Sequence, residues 1–163
     1  MKSALTNYAF IDSQNVNLGV REFGWHLDFH RFRMYLQEKY GVKKAYLFIG
    51  YIPENQNLYK VLQEYGYVLI FKPVTRNKNG DVKGNVDAEL VLQAMIDYAD
   101  YEKAIIVTSD GDFYCLVRYL YVRNKLGFVL SPSRVKCSIL LKKAAKEKII
   151  FFNNLRGKLE RGK

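Results

Sequence analysis

Apolar positions along the chain fall into short continuous runs, which alternate with stretches where apolar residues recur at helical spacing. The continuous runs predict buried strands at 7–12, 43–50, 67–72, 103–110, 127–133 and 148–153. The helical spacing predicts amphipathic helices at 27–41, 53–66, 85–99, 112–124 and 137–147. Strands that alternate with helices of this length form a mainly parallel sheet. The pattern therefore predicts a three-layer, doubly wound α/β fold with helices on both faces of the sheet.

The length and apolar content of the chain indicate one domain, since 163 residues are enough to bury a real core. We expect a single domain over 1–155 and a basic C-terminal tail over 156–163. No apolar run approaches the roughly 18–20 residues that a membrane helix needs, and no signal peptide is recognised. Cys115 and Cys137 form neither a metal-ligand spacing nor a disulfide framework. We therefore expect a cytoplasmic protein that does not enter a membrane.

The charge balance is strongly basic, with 26 lysines and arginines against 16 acids and a net charge of +10. A surface of this sign attracts polyanions, and nucleic acid is the usual polyanion inside cells. Solubility alone is the plainer explanation, because basic proteins of unrelated function are common. The 13 tyrosines and 10 phenylalanines could offer stacking surfaces to bases, although most of them fit a core.

Acidic residues follow two of the predicted strands at the point where each strand ends. Asp12 and Asp110 are the last residues of the first and fourth strands, and Asp112 lies in the turn just beyond. In a doubly wound sheet the carboxyl ends of the strands meet at one edge, and ligands bind outside that edge. We therefore expect these three side chains to emerge at the same rim of the sheet.

A fourth acid, Asp87, stands in the first turn of the helix that follows the basic loop, so it faces the same rim. Glu89 lies about 200° further round that helix and Asp97 lies ~15 Å down its axis, which excludes both from the site. The alternative explanation is that each acid has only a local structural role. Asp12 would then be a turn former, Asp87 a charge on the helix dipole and Asp112 an N-cap.

Four carboxylates that crowd together repel one another unless a cation neutralises them. No lysine or histidine cluster in these segments offers an organic counter-charge. Oxygen-only ligand sets suit hard divalent ions, so the sequence predicts Mg²⁺ or Mn²⁺ as the cofactor. Such an ion can activate water and stabilise the leaving oxygen of a phosphodiester. An acidic metal pocket within a basic surface is the combination that a nuclease requires.

Three segments resemble the signature blocks of a known family: "FIDSQNVN" at 10–17, "KGNVDAELVLQAM" at 83–95 and "VTSDGDF" at 107–113. By these segments the chain is similar to the NYN domain family, which belongs to the PIN-like nuclease superfamily and includes bacterial LabA-type proteins. The resemblance covers most of the chain and implies a metal-dependent ribonuclease. The implied partner is RNA, single-stranded or structured, with products that carry 5′-phosphate and 3′-hydroxyl ends.

The resemblance also implies roles for individual residues. Those that match the metal-binding and catalytic acids of the family are Asp12, Asp87, Asp110 and Asp112. Asn15 matches the catalytic polar residue after the first acid and would orient a water or a phosphate, and Ser109 fits a polar position beside the metal and the substrate. Some branches of the family carry a further acid near the position of Gln93, which leaves the number of metal ions open.

The basic loop before the second acid supplies the candidate substrate contacts. Lys83 directly precedes the "GNVD" segment and is expected to contact a substrate phosphate, although a solvated loop lysine is the plainer reading. Arg76 and Lys78 in the same loop are further candidates for phosphate contacts. Tyrosines near the termini would permit a homodimer.

Two other functions stay open on the sequence. A non-catalytic RNA-binding or regulatory protein could retain the nuclease fold with little turnover. A phosphatase or phosphotransferase could use Asp12 as its nucleophile, but such enzymes usually need a second acid two residues later, where this chain has Gln14.

Overall fold

The computed structural model describes residues 6–76, 78–79, 82–83 and 85–162. Its strands, in chain order, are β1 Asn7–Asp12, β2 Val42–Tyr51, β3 Tyr67–Pro73, β4 Thr75–Arg76, β5 Val82–Lys83, β6 Ala104–Val107, β7 Leu126–Ser131 and β8 Ile149–Phe151. Six of them form one sheet in the order β3-β2-β1-β6-β7-β8, and every neighbouring pair in it is parallel. The short strands β4 and β5 pair with each other as an antiparallel ribbon. The predicted parallel α/β sheet is therefore confirmed.

Within the described residues, seven α-helices surround this sheet. They are α1 Ser13–Arg21, α2 Phe29–Tyr40, α3 Gln56–Glu64, α4 Asp87–Ile96, α5 Tyr114–Val122, α6 Ile139–Ala145 and α7 Arg156–Leu159. Single 3-10 turns precede α3 and α5 and follow β8, at Pro53–Asn55, Gly111–Phe113 and Phe152–Asn154. Helices α2 to α6 correspond to the five predicted helices, whereas α1 and α7 have no counterpart in the prediction. No helix in the described ranges is long and apolar enough to cross a membrane.

Successive residues of each strand point to opposite faces of the sheet, and this alternation builds two separate cores. On one face, Ala9 and Ile11 of β1 pack with apolar residues of α1, α2, α3 and α7. On the other face, Phe10 packs with apolar residues of α4, α5 and α6. The molecule therefore has three layers, with the sheet buried between two layers of helices.

Helix α1 is stabilised mainly by tertiary contacts rather than by helix propensity. Its sequence, SQNVNLGVR, contains two asparagines and a glycine, which all disfavour helix. Val16 and Val20, one turn apart, are fully buried. A Cβ at Gly19 would lie 2.7 Å from the Cβ of Pro132, so only glycine lets the helix approach the loop after β7 this closely.

The segment predicted as a basic tail packs onto the domain. Leu159 of α7 is fully buried. Its carbonyl accepts a hydrogen bond from Asp28 N at 2.8 Å, and Arg161 N donates to the carbonyl of His26 at 2.8 Å. These contacts tie the segment to the loop before α2, so residues 156–162 are part of the packed structure.

The strand order reverses between β1 and β6, at the centre of the sheet. From β1 the chain continues outward to β2 and β3, whereas from β6 it continues to β7 and β8 on the other side. Connections that depart in opposite directions leave a crevice at the carboxyl ends of these two strands, where doubly wound proteins bind their ligands. This crevice is where the acids selected from the sequence meet.

Candidate metal centre

Asp12 is the last residue of β1 and the N-cap of α1, and only 6 % of it is exposed. One carboxylate oxygen, Oδ1, accepts a hydrogen bond from Asn15 N at 3.3 Å. The other, Oδ2, accepts from the hydroxyl of Thr108 at 3.5 Å. The side chain therefore ends the strand, begins the helix and contacts the neighbouring strand end at the same time.

Asp110 lies in the loop after β6 and caps the 3-10 turn that leads into α5. Its backbone N–H donates to Thr108 Oγ1 at 3.1 Å, and its Oδ1 accepts from Asp112 N at 2.9 Å. A Cβ at Gly111 would lie 2.2 Å from the hydroxyl of Ser138, so glycine is required for the turn to rest on the start of α6. Thr108, fully buried, thus contacts both Asp12 and Asp110 and fixes their relative positions.

Asp87 is the first residue of α4, and its backbone N–H donates to Asn85 Oδ1 at 2.7 Å. Lys72 on β3 donates to the carbonyl of Asn85, and its Nζ lies 3.6 Å from Glu89 Oε2. Glu89 therefore forms an ion pair with Lys72. It lies outside the cluster of acids, as the helix geometry predicts. Asp97 is likewise remote, because it accepts hydrogen bonds from Tyr46 and Gln93 in the core.

Three of the four acids converge at the crevice. One carboxylate oxygen from each of Asp12, Asp87 and Asp110 lies within 4.8 Å of the other two. Asp112 is exposed and stands outside this group, although its proximity to Asp87 adds a small contribution to the raised pKa of that carboxyl. The sequence therefore locates all four at one rim, and the structure gathers three of them, with Asp112 as a flanking group.

Burial and mutual repulsion act on these carboxyls together. Burial, followed by the charges of Asp87 and Asp110, raises the pKa of Asp12 to about 6, against the opposing effect of the Asn15 N–H and the Thr108 hydroxyl. Burial also raises the pKa of Asp87, with smaller contributions from Asp110 and Asp112. Among the described residues, no ion pair involves any of the three clustered acids. The cluster therefore lacks a cationic partner within the described part of the chain.

The acids open into a cleft of about 230 Å³. Besides the three acids it is lined by Gln14, Asn15, Leu18, Asn85 and Val86. Asn15 links α1 to the end of β6, since its Oδ1 accepts a hydrogen bond from Ser109 N at 2.8 Å. The sequence analysis identified Asn15 but not Gln14, Asn85 or Thr108. The Asn-Val-Asp spacing before α4 was the available signal for Asn85, because an asparagine two residues before a helical aspartate is a common turn former.

The residues predicted to contact substrate lie in different surroundings. The hydroxyl of Ser109 shares a hydrogen bond with that of Ser131 at 2.8 Å and accepts from Ser133 N at 3.3 Å, so it is engaged in a buried serine network. Lys78 is exposed in the turn between β4 and β5. The side chains of Arg76 and Lys83 lie outside the described residues. A substrate contact for each of these four residues stays a prediction.

Comparison with known proteins agrees with this geometry. The family model described as NYN domain matches residues 8–153. A crystal structure of a protein of unknown function from Vibrio parahaemolyticus is similar to the chain with a TM-score of 0.77 and 23% identity, covering 99% of this chain and 100% of that one. At this identity the likeness shows the fold alone.

A second solved structure, a PLP-bound putative aminotransferase from Clostridium difficile, is 11% identical with a TM-score of 0.36, covering 90% of this chain and 46% of that one. This likeness is too weak to carry an argument. No curated protein matches the chain.

Proposed function

The chain belongs to the NYN domain family of the PIN-like superfamily, and we propose that it is a metal-dependent ribonuclease that hydrolyses RNA phosphodiester bonds. The observation that carries this proposal is the approach of Asp12, Asp87 and Asp110 within 4.8 Å of one another. The three come from β1, the start of α4 and the loop after β6, so nothing in local sequence brings them together. They meet at the crevice where doubly wound sheets bind ligands.

The donor set fits a hard divalent cation. All three candidate ligands are carboxylates, and oxygen ligands are those that Mg²⁺ and Mn²⁺ prefer. Asp12 is buried beside two further acids, which is costly for its charged form unless a cation shares the space. We infer that Asp12, Asp87 and Asp110 would hold the ion, with Asp112 as a neighbour that could hydrogen-bond one of its waters.

A bound ion of this kind lowers the pKa of water and offsets negative charge on a phosphate. The residues of the chain supply the positioning. The side-chain oxygen of Asn15 accepts the hydrogen bond from Ser109 N. The NH₂ group of the same amide is left to donate to a phosphate oxygen in the cleft. The Thr108 hydroxyl donates to the Asp12 carboxylate and accepts from the backbone N–H of Asp110, so the two hydrogen bonds join the segments that carry these acids.

The charge of the chain supports a polyanionic substrate. The net charge is +10 even though the candidate site is acidic, so the basic residues lie elsewhere on the surface. Basic residues around an acidic cleft attract the phosphate backbone through a sequence-independent, salt-dependent attraction. Lys78, and Arg76 and Lys83 in the same loop, are the proposed phosphate contacts nearest in sequence to Asp87.

A cleavage assay with end-labelled single-stranded RNA tests the proposal. We expect cleavage with Mg²⁺ or Mn²⁺, none with EDTA, and products with 5′-phosphate ends. Those ends separate hydrolysis by water from attack by the ribose 2′-hydroxyl, which leaves a cyclic phosphate and is how common contaminating ribonucleases act. The variant Asp110→Asn should lose cleavage, whereas Asp100→Asn, an exposed acid in the turn after α4, should retain it.

The competing function is a non-catalytic RNA-binding protein with the same fold. RNA binding that does not depend on metal, together with no cleavage under any metal condition, would favour that function and overturn the ribonuclease. Cleavage that survives Asp110→Asn unchanged would show that the activity does not come from this site.

A further inference from the structure

A second cleft, of about 310 Å³, lies directly beside the acidic one. The two clefts share Gln14, Leu18 and Val86 in their walls, so they adjoin at the exposed side chain of Leu18. The second cleft extends from α1 over the end of β2 to the start of α3. A molecule bound at the acids therefore has this second cleft as its neighbour.

The walls of this cleft are mainly apolar and are held rigidly. Ile52, Leu58 and Val74 contribute apolar surface. Tyr59, whose ring is buried, donates its hydroxyl to the carbonyl of Gly50 at 3.2 Å and accepts from Ile52 N at 2.8 Å. A Cβ at Gly50 would lie 2.5 Å from Val74 Cγ1, so glycine is what lets Val74 close over the end of β2. The cleft is thus a preformed cavity with an apolar lining.

Polar groups are placed around that lining. Gln14, Asn17 and Asn55 line the cleft, and within the described ranges their side chains make no hydrogen bond. Each amide offers both donors and an acceptor. Arg21, at the end of α1, adds an exposed guanidinium that forms no ion pair among the described residues. Three unpaired amides and one cation around an apolar cavity suit a flat ring system with a polar edge and a nearby phosphate.

We propose that this second cleft, which we call the base cleft, binds the nucleobase next to the scissile phosphate, so that single-stranded RNA is the preferred substrate. The inference rests on the proposed function, because the phosphate over the acids fixes where the attached nucleoside must go. A nucleobase buries its faces against the apolar walls and pairs its edge with the amides. An aliphatic chain would leave those amides unpaired, at a cost in free energy.

Base binding in this cleft would also disfavour an intact duplex as substrate. A base can enter the cleft only when it is not stacked and paired, and extracting it from a duplex costs the free energy of its stacking and pairing. Single-stranded segments display their bases without that cost, and proteins that read RNA commonly bind them in this way. Preference for single strands is therefore a direct consequence of base binding.

Binding of matched RNA probes tests the base cleft apart from catalysis. The protein carries Asp110→Asn so that RNA stays intact, and affinity is measured by fluorescence anisotropy. The probes are a short single-stranded RNA, the same chain with abasic riboses, and the corresponding duplex. We expect the intact single strand to bind about tenfold more tightly than the abasic chain, because both carry the same number of phosphates and only one carries bases.

Variants of the cleft residues test whether the base cleft causes the difference in affinity between intact and abasic RNA. In the double variant Asn17→Ala and Asn55→Ala, we expect most of the preference for intact over abasic RNA to disappear. Both changes are tolerated by the fold, since Asn17 lies within α1 and the Asn55 side chain makes no capping hydrogen bond to α3. The matched control is Asn57→Ala, an exposed position on α3 outside the cleft, which should keep the full preference.

The outcomes separate this inference from the ribonuclease. Equal binding of intact and abasic RNA, or a preference that survives the double variant, overturns the base cleft whether or not the wild type cleaves RNA. Absence of binding to every probe overturns it as well. A preference that the double variant abolishes, in a protein whose wild type never cleaves RNA, supports the base cleft and overturns the ribonuclease.

Discussion

Charged side chains of opposite sign lie at the two edges of the central sheet, and they differ in the hydrogen-bond partners that they have. At the amino edge, Lys103, Lys125 and Lys148 directly precede β6, β7 and β8. Their ammonium groups donate to backbone carbonyls, Lys103 to Asn124 O at 2.5 Å and Lys148 to Leu126 O at 3.0 Å. At the carboxyl edge, Asp12 and Asp110 each accept one backbone N–H bond, and one oxygen of each lies within 4.8 Å of an oxygen of Asp87.

The difference distinguishes charges that folding alone explains from charges that it does not. Lys103, Lys125 and Lys148 each donate to a backbone carbonyl, and folding alone explains these contacts. At the carboxyl edge, one oxygen each of Asp12 and Asp110 caps a helical segment, which folding also explains. The crowding of Asp87 and Asp110 around a buried carboxyl whose pKa is raised to about 6 is a cost that capping does not require. Such a cost is typical of a ligand site.

The largest expected effect comes from removing an acid of the cluster. Asp87→Asn should lower the rate of RNA hydrolysis by about 10²–10³-fold, because one charged ligand is lost while the helix start is kept. Glu89→Gln, two residues along the same helix, is the matched control, since Glu89 pairs with Lys72 and not with the cluster. Initial rates at saturating Mn²⁺ measure both. Equal losses in the two variants would mean that the whole α4 terminus, and not the cluster, matters.

Metal binding should stabilise the fold through the same three acids. With the ion at a hundred times its dissociation constant, the free energy of unfolding should rise by about 2–3 kcal/mol, or roughly 5–10 °C in Tm for a chain of this size. Asp12→Asn should remove most of that rise. Thermal unfolding with and without Mg²⁺ or Mn²⁺ is the measurement, with Ca²⁺ as a comparison ion. A rise that Asp12→Asn leaves intact would place the ion elsewhere.

The raised pKa of Asp12 makes the metal-free protein sensitive to pH. Because the folded-state pKa of about 6 exceeds the ordinary value of 3.8, the folded chain holds the proton more tightly, and this stabilisation is lost as pH rises through 6. In EDTA near pH 8, Asp12→Asn should therefore be more stable than the wild type by on the order of 1–3 kcal/mol. Asparagine still caps α1, so the comparison isolates the charge.

Urea unfolding at several pH values measures this effect. The advantage of Asp12→Asn should shrink as pH falls towards 4, where the wild-type carboxyl is protonated in the folded state. A variant that is less stable than the wild type near pH 8 would show that the buried carboxylate is not a cost to the fold. Asp100→Asn, at an exposed position outside the cluster, is the matched control for the loss of a carboxylate.

Much of the fold was predictable because buried strands leave a strong apolar signal. All six sheet strands fall on predicted runs, and β1 has the predicted bounds, Asn7–Asp12. Helix α1 was not predicted because its residues have poor helix propensity and its stability comes from Val16, Val20 and the contact of Gly19 with Pro132. Only the spacing of the two valines and the N-cap at Asp12 signalled it. Contacts across the chain, such as that with Pro132, are invisible to local pattern.

The candidate site, like the fold, was predictable only in part. The convergence of Asp12, Asp87 and Asp110 followed from topology, because the rule about strand ends converts positions in sequence into one place. The exposure of Asp112 did not follow, since the residue lies in the 3-10 turn Gly111–Phe113, which the pattern of apolar residues does not specify. The base cleft could not be predicted either, because α1 supplies one of its walls. The sequence therefore predicts where the acids lie but not the surface beside them.

The smallest expected effect comes from replacing a lysine at the amino edge of the sheet. Lys103→Met keeps the apolar stem but removes the hydrogen bonds to Asn124, so stability should fall by about 1 kcal/mol or less. The loss is small because burial and the charge of Lys148 already lower the pKa of Lys103, which offsets part of the gain from those bonds. Hydrolysis and RNA affinity should stay within about twofold of wild type, as for Lys39→Met on the surface of α2. A large loss of either in Lys103→Met alone would give the amino edge a function of its own, and the division between structural lysines and functional acids would fail.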